Sequence, residues 1–278
     1  MPANRRAHAT LPRQPDRAVG SCQTACVTAY LDGAHPRAFV HRGWHVGDLA
    51  GLENTAAAFR RAHAEGYRYL ETDARATADG VVIAFHDPRL DRVTDRTGVV
   101  AEQSWSDLQH ARVGGVEEIP LLTELLEELP DAHFNIDVKA ANAVGPLAEV
   151  IRRSGAADRI CVVSFSERRL AALRAAIGPE VAWAMGPFET FRLFRASKLR
   201  RRFGSNAVAV QVPVTFQRVR IVTPGFIAAA HDAGLEVHVW TINDPAEMRE
   251  LLAIGADGIM TDRPDLLRAV LMERDAWS

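Results

Sequence analysis

Eight short apolar runs alternate with eight amphipathic ones along most of this chain, and that rhythm constrains the fold more than any single residue does. Strand-like runs fall at 38–40, 69–73, 134–138, 160–165, 181–185, 207–212, 237–240 and 258–261. Helix-like segments follow them at 55–65, 120–129, 143–153, 167–177, 188–200, 224–232, 245–254 and 265–273. Alternating units of this length imply a parallel sheet, because parallel neighbours need a crossover that a helix supplies. Eight of them favour closure into a (β/α)8 TIM barrel, and a chain of 278 residues is long enough for one. A doubly wound open sheet is the alternative, but no Gly-x-Gly-x-x-Gly fingerprint follows the first run.

Two stretches break the rhythm. Residues 1–36 show no lasting periodicity and read as a loose N-terminal tail, leaving 37–275 for the barrel domain. After the second strand, Ala78-Asp79-Gly80 marks a turn into a hairpin at 81–85. Residues 89–119 are then charged, aperiodic and too long for an ordinary barrel loop, so they are expected to form a small insertion over the mouth.

The second strand ends in Glu71-Thr72-Asp73. Residues two apart on a strand share a face, which holds these carboxylates on the order of 6–7 Å apart at the backbone. Two ionised acids so close repel unless a cation lies between them or one is protonated. The third strand adds Asn135, Asp137 and Lys139 on one face. In a barrel of this type the active site lies at the C-terminal ends of the strands. His41, Glu71, Asp73, Asp137, Lys139 and Trp240 all fall at or just past those ends. Carboxylates without nearby Cys or paired His favour Mg²⁺ or Ca²⁺ over zinc. Lys139 and Arg42 beside such an ion suit a phosphate oxygen, and His41 and His86 can divide the proton work as acid and base. His238 shares a strand face with Trp240 and reads as a hydrogen-bonding residue of the barrel interior. Trp240 and Asn243 offer an apolar wall and an amide at the rim, with Ser164 and Gln211 as weaker candidates for the polar lining.

Composition narrows the partners. A formal charge of −2 gives no electrostatic argument for nucleic acid or an anionic membrane. Cys22, Cys26 and Cys161 are too few and scattered for a disulfide framework, and Cys22 with Cys26 lacks the companions of a zinc site. No run is apolar enough for a membrane span, and no apolar leader follows the basic residues near the N-terminus, so a cytoplasmic location is expected.

From 38 to 271 the chain resembles the glycerophosphodiester phosphodiesterase family. The motifs are His41-Arg42-Gly43, Glu53-Asn54-Thr55, Glu71-Thr72-Asp73, Asp79-Gly80, His86-Asp87 and Thr94-Asp95-Arg96-Thr97-Gly98. Asn135-Ile136-Asp137-Val138-Lys139, Trp240-Thr241-Ile242-Asn243 and Gly258-Ile259-Met260-Thr261-Asp262 continue the series in order. The resemblance implies a divalent-cation-dependent hydrolysis of glycerophosphodiesters to an alcohol and glycerol 3-phosphate. It implies His41 and His86 as the acid/base pair, Glu71, Asp73 and Asp137 as metal ligands, Glu53 in or beside the metal shell, and Arg42 and Lys139 on the phosphate. Where the family usually has glutamate, this chain has Asp137, one methylene shorter. One rival is a phospholipase D-like relative acting on lysophospholipid or sphingomyelin, disfavoured by the absent leader and sparse cysteines. A non-catalytic polyol-phosphate-binding barrel is another, disfavoured because a binder needs no proton shuttle.

Overall fold

The computed structural model describes residues 29–277. Eight strands build its main sheet: β1 (Arg37–His41), β2 (Tyr69–Ala76), β3 (His133–Val138), β4 (Ile160–Val163), β5 (Ala182–Trp183), β6 (Ala209–Pro213), β7 (Glu236–Trp240) and β8 (Gly258–Thr261). Their order is β5-β4-β3-β2-β1-β8-β7-β6, every neighbouring pair parallel. A lone parallel bridge, Ala184 to Ala209, joins the two end strands and closes the barrel.

The helices begin where local chemistry dictates. Pro187, Pro224, Pro245 and Pro264 each open one, a position where the missing N–H costs nothing and the fixed φ is already helical. Thr223 and Asp244 cap two of these by accepting from Phe226 N and Ala246 N. Helix Ala56–Ala64 differs from expectation by one residue at its start. Asn54, just before it, has φ +58 and turns its amide to Asp73. Thr55 does the capping, its hydroxyl accepting from Ala58 N at 3.2 Å.

The main core lies between the outer faces of the strands and the helices, with Phe134, Leu147, Leu173, Val210 and Leu251 among its residues. Inside the barrel, Phe39, Tyr69, Cys161, Ala184 and Met260 pack with Tyr30. Tyr30 is fully buried, so the end of the expected tail is part of the packed structure; the remainder, with Cys22 and Cys26, lies outside the described residues. The 89–119 insertion follows the antiparallel pair of β2 with Val82–Ala84. It carries a short helix, Trp105–Leu108, and a ribbon of Arg112–Val113 with Glu117–Glu118. Its apolar residues Leu90, Val100, Leu108, Val113 and Ile119 pack on Ile83 and Phe85. Elements of two to four residues are too short to leave a period in the sequence.

Candidate active site

Strand register assembles the site. His41 pairs with Glu71 and Glu71 with Asn135, while Asp73 pairs with Asp137 one layer further along. Directly after β1 the chain turns sharply: Arg42 has φ +56 and Gly43 φ +80. A Cβ on Gly43 would meet Ala58 Cβ at 2.8 Å, so only glycine lets helix Ala56–Ala64 pack this close. The Arg42 amide donates to the Glu71 carbonyl at 3.1 Å and to its Oε2 at 3.2 Å, binding the turn to the acidic strand.

Glu71, Asp73 and Asp137 are all buried. Lys139 Nζ lies 2.8 Å from Asp73 Oδ1 and 2.7 Å from Asp137 Oδ2, and Arg42 Nε is 3.2 Å from Asp73 Oδ2. Burial opposes ionisation of Asp73, but Lys139 and Arg42 outweigh it and hold the carboxyl below its usual range. Glu71 is approached by His41 at 3.7 Å and by the Arg42 amide, which do not offset its burial. Burial first, and the Asp73 charge second, push it up to about 7. Burial likewise raises Asp137 despite Lys139.

Each expected catalytic histidine is tied through Nδ1 to a carboxylate. His41 Nδ1 lies 2.6 Å from Asp262 Oδ1, and His86 Nδ1 lies 2.6 Å from Asp87 Oδ1. Such a bond fixes the ring and its tautomer, leaving Nε2 for chemistry. Asp262 is itself anchored by Asn243, whose amide donates at 3.0 Å. Asp87 is gripped by Arg92 of the insertion and drawn down to about 2, chiefly by that hydrogen bond. Burial works against charge on His41, but the Glu71 carboxylate and the Asp262 hydrogen bond prevail and raise its pKa.

These groups face a cavity of about 460 Å³. His41, Arg42, Glu71, His86, Asp137, Lys139 and Trp240 line it, as do Asn135, Ser164 and Gln211. Asp73 sits behind Arg42 and Lys139. Glu53 is away from the cavity wall, paired with Arg42 at 3.0 Å and with Arg92 at 2.7 Å. Sequence reasoning gave no role to Asp262, Asp87 or Arg92. Asp262 directly follows the last strand, so the strand-end rule that singled out Glu71 and Asp137 applies equally to it.

Among the described residues, no three or more His, Cys, Asp or Glu side chains are drawn together as a ready ligand set, and the Lys139 ammonium stands between Asp73 and Asp137. Two features nonetheless fit a hard divalent ion. Asp137 Oδ1 is buried without a hydrogen-bond partner, and Glu71 is raised by burial and then by the Asp73 charge.

The family model described as the glycerophosphoryl diester phosphodiesterase family matches residues 41–266. The chain belongs to that family. It is accordingly an enzyme, a phosphodiesterase of the glycerophosphodiester class. It is 39% identical over 249 residues to Probable glycerophosphodiester phosphodiesterase 2 of Mycobacterium tuberculosis, covering 86% of this chain and 92% of that one. A solved glycerophosphodiester phosphodiesterase from Agrobacterium tumefaciens matches with a TM-score of 0.69 at 29% identity, over 85% of this chain and 99% of that one. An Oleispira antarctica phosphodiesterase solved with sn-glycerol-3-phosphate shares the fold at a TM-score of 0.73 and 22% identity, over 88% and 99% of the two chains. Members of this family generally use a divalent cation.

Proposed function

We propose that the mouth of this barrel hydrolyses a glycerophosphodiester to the free alcohol and glycerol 3-phosphate, with His41 and His86 as the acid/base pair. The observation that carries these roles is the paired arrangement of the histidines. Each is locked by its own carboxylate and faces the one cavity that also holds Arg42 and Lys139. Arg42 and Lys139 take the phosphate oxygens, and Trp240 with the rim orients the leaving alcohol. One histidine removes a proton from water as its oxygen joins phosphorus. The other delivers a proton to the departing alcohol as the P–O bond breaks. Glu71, Asp73 and Asp137 would hold one divalent ion, of which Mg²⁺ is our choice because it readily keeps waters that can span a shortened side chain. When bound, it supplies charge stabilisation at a phosphoryl oxygen. Glu53 orders Arg42 from behind.

The deciding assay measures glycerol 3-phosphate released from glycerophosphocholine, with chelator and with Mg²⁺ restored. Full turnover in excess chelator would remove the metal from the proposal. A substrate with an activated leaving group should rescue loss of the acid histidine and not loss of the base, which assigns the two roles.

A further inference from the structure

The formal charge of −2 hides a sharp local imbalance. Between 187 and 204 the chain carries Arg192, Arg195, Lys198, Arg200, Arg201 and Arg202 against the single acid Glu189. All six cations are exposed, and among the described residues none is paired with a carboxylate. Arg192, Arg195 and Lys198 lie on helix Pro187–Leu199 and the other three directly follow it. The helix also exposes Phe188 and Phe191, three residues apart and therefore neighbours on its surface. Opposite it, the hairpin of Thr215–Phe216 with Val219–Arg220 exposes Phe216 and Val219. Phe191 and Phe216 are 55% and 60% exposed, unusual for side chains of their size, and both belong to the wall of the catalytic cavity. Met185, Phe194 and Ile221 carry that apolar wall inwards towards the histidines.

A water-soluble diester needs neither feature. A basic helix with aromatic side chains beside them is the composition that lies in an anionic lipid interface, where the rings enter the headgroup region and the cations meet lipid charge. Continuity of the apolar rim with the cavity places the histidines under that contact.

Resting on the phosphodiesterase reading above, we propose that helix Pro187–Leu199 and the hairpin after β6 dock the barrel mouth onto an anionic lipid surface, from which it draws a single-chain glycerophosphodiester. The hydrocarbon chain lies along Phe191, Phe194, Phe216 and Ile221. Water's oxygen joins phosphorus, the head-group alcohol leaves with a proton, and acylated glycerol phosphate remains. Leader and cysteine content bear on compartment and not on what this cavity accepts.

The test is sedimentation of the full chain with vesicles of phosphatidylcholine alone and of an equal mixture with phosphatidylglycerol. It is run beside turnover of monoacyl glycerophosphocholine in each vesicle and of free glycerophosphocholine. Binding should be at least about tenfold stronger to the mixed vesicles and weaken with salt. Arg195→Glu with Arg201→Glu should remove most of it, as should Phe188→Ser with Phe191→Ser. In both variants the ratio of vesicle-borne to free-substrate turnover should fall by roughly tenfold. Equal binding to both vesicles, no binding to either, or retention of duplex DNA in place of vesicles would overturn the docking surface. Vesicle binding without hydrolysis of any diester would instead overturn the catalytic reading and leave the docking surface standing.

Discussion

At the N-terminal end of the barrel, Arg37 donates to the carbonyls of Leu31, Gly33 and Ala34 and to both oxygens of Glu236. Glu236 also accepts from His238 at 2.9 Å, and His238 reaches Gln211. At the C-terminal end, Asp73 is paired with Lys139 and Arg42, Asp137 has Lys139 on one oxygen and no partner on Oδ1, and burial pushes Glu71 up to about 7. The chain can therefore satisfy buried charge where stability is the only demand. Leaving it unsatisfied at the mouth costs stability and keeps attraction for phosphate and a cation in reserve.

The largest contrast comes from removing one group at each end. His41→Ala and His86→Ala should each lower kcat by roughly 10²–10⁴-fold, with urea midpoints close to those of the parent chain. Near-normal turnover in either variant would return that histidine to a structural role. At the other end, Arg37→Met strands Glu236 and should cost about 3–5 kcal/mol in denaturant unfolding. A loss below about 1 kcal/mol would show that the lower network contributes no more than a surface pair.

Next in size is a difference in pH dependence. Burial alone would raise Glu236, but hydrogen bonds from His238 and Arg37 outweigh it and bring the carboxyl to about 2. A depressed acid stabilises above its unfolded value of about 4.3, and that stability disappears as pH falls towards about 2. The contribution is on the order of 3 kcal/mol. Glu71 has the opposite sign. Its pKa is raised to about 7, so its ionisation destabilises the fold as pH rises from the unfolded value through neutrality. Glu236→Gln should flatten the acid limb of the stability profile, and Glu71→Gln the limb approaching pH 7. If both substitutions moved the same limb, the two ends would not differ as described.

The smallest expected stability effect belongs to Asp137→Asn. Removing one charge from a crowded site while keeping its shape should change stability by no more than about 1 kcal/mol. Calorimetric titration should nevertheless show weaker divalent-cation binding, with turnover falling in parallel. Unchanged Mg²⁺ affinity would exclude Asp137 as a ligand.

Much of this architecture is legible in the sequence because β/α alternation repeats and each strand-end acid follows from its place in that rhythm. Glu71, Asp73 and Asp137 needed only period-two geometry and the polarity of the barrel. Asp262 satisfies the same rule, but the partnership that reveals its role, with His41, spans most of the chain and depends on β8 closing beside β1. Arg92 was hidden for another reason. It projects from a segment without a period, and only the folded insertion turns it towards Asp87 and Glu53. The apolar rim was invisible as a surface because Phe191 and Phe216 belong to different βα units and read singly as ordinary core candidates.

The closure between β5 and β6 has a mechanical consequence. Where β2 and β3 are matched over six residue pairs, from Tyr69 with His133 to Ala74 with Val138, the described seam has one bridge, Ala184 with Ala209. It is held by Val208 N to Trp183 O at 3.0 Å and Met185 N to Ala209 O at 2.9 Å. The helix after β5 and the hairpin after β6 both spring from that seam, so the half of the cavity that meets the substrate's variable portion is its compliant half. The half bearing His41 and the carboxylates is braced on both sides by continuous ladders. A barrel tied this way can yield to bulky cargo without loosening its grip on the reacting phosphate.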